Sequence, residues 1–281
     1  MKTEIAILWV EDEDLFFKAN EMQLEDWLDN LGFDLKVYFH KKAEGVLDDI
    51  SKDNIELIIL DYNLPGPNGD ELINELRRND FYHDIVFYSA GRLPNIRFDG
   101  VFYVSKDDTL QRVKELILLK LKRLSDVATL RGWIVADAIE LEGLLDEILL
   151  KCFSPKNKLF EEKILRRSFT LDFKKKKDIV NSILNDEITR LRQEGDTSDR
   201  FNKLVECQEV IRVFEPEVIH YRNAVAHGKV EELPDGTKQV KNLANSSPPY
   251  YKLDEASLID GRKKFRKQFK CLSDLSQLLC I

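Results

Sequence analysis

The sequence predicts two domains of different class: an α/β domain built on a doubly wound parallel sheet over residues 1–123, then an all-α helical bundle over residues 124–281. Three observations carry this reading. Short apolar runs alternate with amphipathic stretches through the first half, the strand signal mostly vanishes after residue 124, and 281 residues exceed the usual span of one domain. Hydrophobic residues make up 43% and charged residues 33%, enough apolar material for packed cores and too much for a disordered chain.

In chain order, "EIAILWV" (4–10), "LKVYF" (35–39), "ELIILDY" (56–62), "DIVFYSA" (84–90) and "GVFYVSK" (100–106) predict strands. Each is short, apolar and bounded by polar or turn residues. Helices are expected at 13–31, 42–53, 69–79 and 108–123. Such alternation makes a parallel sheet whose ligand site lies at the carboxyl ends of its strands. Beyond it, Leu130, Ile134, Ala138, Leu141, Leu145 and Ile148 recur at three- and four-residue spacing, which predicts a packed helix over 124–152. Further helices are expected at 159–168, 175–193, 199–214, 216–227 and 254–280. "PDG" at 234–236 stands between two short polar extended runs and predicts a surface hairpin or loop. "NSSPPYY" (245–251) is a breaker-rich connector before the last helix.

Composition narrows the function classes. "MKTEIAILWV" has an acidic residue at position 4 and no long apolar stretch of the kind a signal peptide needs. No apolar run approaches the roughly 20 residues that span a bilayer. Cys152, Cys207, Cys271 and Cys280 form no CxxC pair, which argues against a zinc site or a disulfide framework and fits a reducing cytoplasm. Cytoplasmic location and no membrane partner are therefore expected. The net charge of −8 is unevenly shared: residues 1–123 hold 16 basic and 25 acidic residues, residues 124–281 hold 27 and 26. An acidic first half is therefore not expected to bind nucleic acid through bulk charge. In the second half only local clusters such as "KKKK" (174–177) and "GRKKFRKQFK" (261–270) could track phosphates.

Glu11 and Asp12 end the first strand and Asp61 ends "LIILD", so the strand-end rule brings three carboxylates to one rim. Converging carboxylates repel unless a cation neutralises them, and oxygen ligands suit Mg²⁺. Ser89 and Lys106 end later strands at the same rim. Together these groups could bind a phosphoryl group, with Asp61 as nucleophile and the others offsetting oxygen charge.

Over residues 3–123 the chain resembles the receiver (CheY-like) domain of two-component response regulators, on "ILWVEDE", "LIILDYNLPGPNG", "IVFYSA" and "FYVSK" in that order. The resemblance implies that Asp61 accepts phosphate from a sensor histidine kinase. It implies Mg²⁺ on Glu11, Asp12, Asp61 and the backbone carbonyl of Asn63, phosphoryl contacts from Ser89 and Lys106, and a Ser89/Tyr103 switch pair. Two departures stand out. Asp107 follows Lys106 where receivers carry proline, and "SAGRLPNIRFDGVFYVSK" leaves room for only a shortened or missing fourth helix.

One further stretch, "HYRNAVAHGK" (220–229), has two readings. Asn223 and His227 are four apart and share a helix face, with Arg222 roughly 140° from His227 and Gly228 as a stop. Arg, Asn and His near a helix end can simply cap it and bind loop carbonyls. The fuller string "RNAVAHG", late in a helical bundle, resembles the Arg-x4-His motif of the HEPN superfamily. That resemblance implies a homodimer with metal-independent RNA cleavage, needing no cofactor. His227 would be the acid–base group, Arg222 would hold the scissile phosphate, and Asn223 would orient the histidine or the RNA. Lys229 stands where some family members carry a modified tyrosine. The expected function is a response regulator whose receiver controls a HEPN-like output domain, a ribonuclease. The alternative is a non-catalytic module binding a protein or RNA partner. With no helix-turn-helix in view, DNA is the less favoured partner.

Overall fold

The computed structural model describes residues 4–91, 97–123, 127–154, 156–165, 171–244 and 248–279. The chain divides into two compact units, Lys2–Ser125 and Asp126–Ile281.

The first unit holds strands β1 (Glu4–Val10), β2 (Asp34–His40), β3 (Leu57–Asp61), β4 (Ile85–Ser89) and β5 (Val101–Ser105). They form one sheet in the order β2-β1-β3-β4-β5, and every neighbouring pair is parallel. Helices α1 (Asp14–Asn30), α2 (Val46–Lys52), α3 (Gly69–Arg78) and α4 (Thr109–Arg123) cover it. The two-residue period of a strand sorts the apolar residues onto opposite faces. Ile5, Ile7, Trp9, Leu57, Ile59, Val86 and Tyr88 pack with Phe17, Leu24 and Leu28 of α1 and Val113 and Ile117 of α4. Ala6, Leu8, Val10, Ile58, Leu60, Ile85 and Phe87 pack with Val46 and Ile50 of α2 and Leu72, Ile73 and Leu76 of α3. Because both faces of the central strands are covered, their runs read as continuously apolar. Between β4 and β5, described residues 97–100 hold no helix, and residues 92–96 lie outside the described residues.

The second unit is built on α5 (Val127–Cys152), α7 (Phe173–Gln193), α8 (Asp199–Arg212) and α10 (Glu255–Leu278), which share a single core. Leu141, Leu145 and Ile148 of α5, Leu184 of α7, Leu204 of α8 and Leu272 of α10 are all fully buried. The start of α7 is fixed by the Asp172 carboxylate accepting from the Lys175 amide at 2.8 Å, and that of α10 by Asp254 accepting from Ser257 at 2.8 Å. Each cap satisfies an amide that the first helical turn leaves without a backbone partner. One short turn, α6 (Asn157–Phe160), runs into a π-turn at Glu161–Leu165; the end of the helix expected at 159–168 lies outside the described residues.

The expectation of an all-α second half is corrected in two places. Strands β6 (Val230–Glu232), β7 (Lys238–Lys241) and β8 (Tyr250–Lys252) make an antiparallel three-stranded sheet. The "PDG" turn does close a hairpin. The connector "NSSPPYY" ends in a strand because its tyrosines follow the prolines and pair with Val240 and Lys241. The helix expected at 216–227 begins as a π-turn, Glu215–His220, and becomes regular only in α9 (Tyr221–His227). No helix among the described residues is long and apolar enough to cross a membrane.

Candidate functional site

Four strands deliver chemistry to one rim of the parallel sheet. Glu11 follows β1 and is fully buried, Asp61 closes β3 at 4% exposure, Ser89 closes β4 at 3%, and Lys106 follows β5. Carboxylate oxygens of Glu11, Asp12 and Asp61 lie within 4.8 Å of one another. The Lys106 ammonium sits 3.2 Å from Glu11, 3.2 Å from Glu13 and 3.9 Å from Asp61. One cation thus faces three acids, with Asp12 beside them, and the surplus negative charge lies in a partly buried place.

The cost shows in Asp61. Burial first, and then the Glu11 charge, push its carboxyl up to about 6 despite the Asn63 amide hydrogen bond and Lys106. A compact all-oxygen donor set with uncompensated charge fits a hard divalent ion such as Mg²⁺. Asn63 ties the rim together: its amide donates to Asp61 Oδ1 at 3.3 Å and its side chain donates to Ser89 Oγ at 3.2 Å. Ser89 Oγ also accepts from the Gly91 amide at 3.1 Å. Tyr103 is half-buried on β5, its ring edge-on to Phe87 and its hydroxyl accepting from the Phe98 amide at 2.9 Å.

Glycine and a buried tyrosine complete the rim. The Gly69 amide donates to the Tyr62 carbonyl at 2.9 Å, and a Cβ there would stand 2.3 Å from the Asp61 carbonyl oxygen. Only glycine lets α3 start this close to the end of β3. Tyr88, inside β4, donates to Glu11 Oε2 at 2.7 Å and accepts from the Trp9 indole at 3.2 Å. Sequence reasoning passed over Tyr88, although a phenol in an otherwise apolar strand signals a buried partner.

Residues 7–110 match the family model of the response regulator receiver domain. The N-terminal unit is a response regulator receiver domain. Receivers serve two-component signalling, where they interact with histidine kinases. The chain is 31% identical over 113 residues to the transcriptional regulatory protein MalR of Bacillus subtilis, a match covering 38% of this chain and 46% of MalR. The chain therefore spans about half the length of that relative. Among solved structures, the regulator TrrA of Thermotoga maritima, in complex with Mg²⁺ and BeF, is 27% identical, with coverage of 43% here and 98% there and a TM-score of 0.31. A CheY-like receiver of Methanospirillum hungatei is 20% identical, with coverage of 42% and 98% and a TM-score of 0.33.

Next to the receiver's departure from the usual proline, Lys106–Asp108 forms a short 3₁₀ turn whose Ser105 hydroxyl accepts from the Asp108 amide at 3.3 Å. A serine cap thus leads the chain into α4 at the place where proline would otherwise fix it.

In the helical unit, Arg222 and Asn223 stand together, with Arg222 Nη1 donating to Asn223 Oδ1 at 2.9 Å. Both line a cavity that also takes in His220, Lys174 and Lys176. His227 is exposed at the last residue of α9 and lies outside that lining. The helix end is held by Arg131 of α5, which donates to the carbonyls of Val225 at 3.0 Å and Gly228 at 2.6 Å. Gly228 stops the helix as expected, but by close approach and with ordinary φ of −67°: a Cβ would stand 2.3 Å from the Ala224 oxygen.

Proposed function

We propose that Asp61 is the phosphoacceptor of a response regulator and that its phosphorylation controls the helical unit as output. The observation carrying this reading is the convergence of Glu11, Asp12, Asp61, Ser89 and Lys106 on one rim. A carboxylate oxygen of Asp61 attacks the phosphorus of a kinase phosphohistidine. The P–N bond breaks, its electron pair returns to the imidazole nitrogen, and an acyl phosphate remains. Glu11, Asp12, Asp61 and the Asn63 carbonyl would hold Mg²⁺, which when bound offsets phosphoryl oxygen charge. Lys106 supplies a second positive group, and the Ser89 hydroxyl a hydrogen bond to the new phosphoryl oxygen. The Ser89 oxygen accepts from Asn63 and Gly91 through its lone pairs, and its O–H remains the donor. Tyr103 would follow by leaving the Phe98 amide.

The output we read as metal-independent RNA cleavage of the HEPN type by a homodimer. The RNA 2′-hydroxyl attacks the adjacent phosphorus, the bond to the 5′ oxygen breaks, and a cyclic phosphate and a 5′-hydroxyl result. His227 would move the proton, Arg222 would hold the phosphate, and Asn223 would orient them. Support comes from Arg222 and Asn223 together lining a polar cavity. A second reading, a non-catalytic module for a protein or RNA partner, is favoured by the placement of His227 outside that cavity.

The test has two arms. Phosphorylation by a small phosphodonor in Mg²⁺ should label wild type and leave Asp61→Asn unlabelled; equal labelling of both removes Asp61 from the reading. RNA cleavage in EDTA that is lost in Arg222→Ala and His227→Ala supports the ribonuclease. Cleavage indifferent to His227 sinks it, and absence of cleavage leaves the interaction module.

A further inference from the structure

Two cysteines of the helical unit meet inside its core. Cys207 of α8 and Cys271 of α10 are 5% and 4% exposed, and both are free thiols. The Cys207 Sγ donates to the Cys271 carbonyl at 3.8 Å, and the Cys271 Sγ donates to the Cys207 carbonyl at 3.6 Å. The two thiols also lie within hydrogen-bonding reach of each other. A buried cysteine usually packs as a small apolar residue, and nothing then requires a second one opposite it.

The helices hold this pair in a fixed register. Seven residues before Cys207, Arg200 donates from Nε at 3.1 Å and from Nη2 at 2.8 Å to the carbonyl of Leu278, seven residues after Cys271. Three residues after Cys207, the Val210 carbonyl accepts at 2.9 Å from the fully buried Gln268, three residues before Cys271. All three levels fit one antiparallel alignment of α8 and α10, clamped on both sides of the sulfurs. A disulfide needs two backbones that approach closely and sulfurs aimed at each other. Sulfurs that reach both each other and the opposite backbone meet that need.

The two thiols are not equivalent. The hydrogen bond from Cys271 favours the thiolate of Cys207, whereas the same bond, and then burial, keep the proton on Cys271. Burial also shuts out bulky disulfides, so the matching oxidant is small and neutral. We infer that Cys207 and Cys271 are a redox-modification site, which hydrogen peroxide closes into a disulfide between α8 and α10. The Cys207 sulfur attacks one peroxide oxygen, the O–O bond breaks, and the departing hydroxide leaves as water with the Cys207 proton. Cys207 is then a sulfenic acid. The Cys271 sulfur attacks the Cys207 sulfur, the S–O bond breaks, and the hydroxide leaves with the Cys271 proton as a second water. Two thiols lose two electrons, and one peroxide gains them. The closed loop runs from Cys207 to Cys271 and holds α9 with β6, β7 and β8. Oxidation therefore ties down the segment that carries Arg222, Asn223 and His227, whether or not that segment cuts RNA.

In the experiment, full-length protein freed of reductant is treated with hydrogen peroxide and digested without reduction for peptide mapping. The peptides of Cys207 and Cys271 should appear joined, two hydrogens lighter than the separate pair, and dithiothreitol should part them. The melting temperature of the helical unit should rise by roughly 5–15 °C, as for a cross-link that closes a long loop. In Cys271→Ser, Cys207 should stop at the sulfenic acid, trapped by dimedone, with no link formed. In Cys207→Ser, Cys271 should stay a thiol under the same dose. Replacing Cys152 and Cys280 together by serine should leave the link intact. If the Cys207 or Cys271 variants fold poorly, mapping of wild type decides alone. Three results would each overturn the inference: both thiols still free in folded wild type, links to Cys152, Cys280 or another chain instead, or a link that forms only after the fold melts.

Discussion

The proposed attack of Asp61 on phosphorus requires an ionised carboxylate, yet burial and the Glu11 charge favour its neutral form. The rim therefore relies on added positive charge, and Lys106, shared among three acids, supplies only part of it. The opposite balance holds at Glu187 of α7. Arg190 at 2.8 Å and Arg200 at 2.7 Å surround it, and hydrogen bonding to Arg190, opposed by slight burial and helped by Arg200, holds its carboxyl down to about 2. A depressed folded-state value stabilises at pH above the unfolded value, near 4.5, and the contribution disappears as pH falls through about 2. Glu187→Gln should thus melt below wild type at pH 7, with the gap closing between about pH 4.5 and pH 2. Calorimetry across that range checks it; a gap independent of pH would mean that the glutamate acts by packing alone.

At the scale of elements, the tightest joint is the start of α3 against the end of β3. A methyl group added at Gly69 would meet the Asp61 carbonyl at 2.3 Å and the Phe87 ring at 2.7 Å, neither of which can move freely. Gly69→Ala should lower stability by about 1–3 kcal/mol, the usual range for overpacking, and slow phosphorylation of Asp61 by displacing it. Urea unfolding and labelling rates measure the two effects. The five parallel strands and their four helices were legible because each pattern was local: apolar runs with polar ends, and helical spacing between them. The acids at the strand ends were legible for the same reason. Contacts made across the sheet were not, so Tyr88 on Glu11 and Glu13 on Lys106 went unseen. In the second unit the π-turn ahead of α9 has no spacing signal, since Pro216 reads equally well as an ordinary helix start. β8 was hidden by the prolines before it. The Arg131 cap and the Lys176–Glu142 pair join residues far apart in sequence, beyond any motif.

At the scale of the whole molecule, the two units keep separate cores and separate chemistry. The acidic rim belongs wholly to the receiver, and the Arg222 cavity wholly to the helical unit. Ligands that bind only the folded state stabilise the unit that binds them, by about 2.7 kcal/mol at roughly 100 times Kd. Mg²⁺ should therefore raise the receiver transition and leave that of the helical unit in place. Calorimetry in EDTA and then in Mg²⁺, on wild type and Asp61→Asn, reads this directly. An equal shift of every transition, or one unaffected by the substitution, would place the ion elsewhere.

Trp9 gives the receiver an optical consequence of its own construction. Its indole is fully buried and donates to the Tyr88 hydroxyl, which in turn donates to Glu11. An ion arriving at Glu11 draws on the same carboxylate, so the electric field along that relay changes at the chromophore. The other two tryptophans, Trp27 and Trp133, are partly exposed and take no part in this relay. Emission from Trp9 should therefore report, without any label, when the metal enters and when the phosphoryl group follows. Tyr88→Phe would cut the wire while leaving the acids in place.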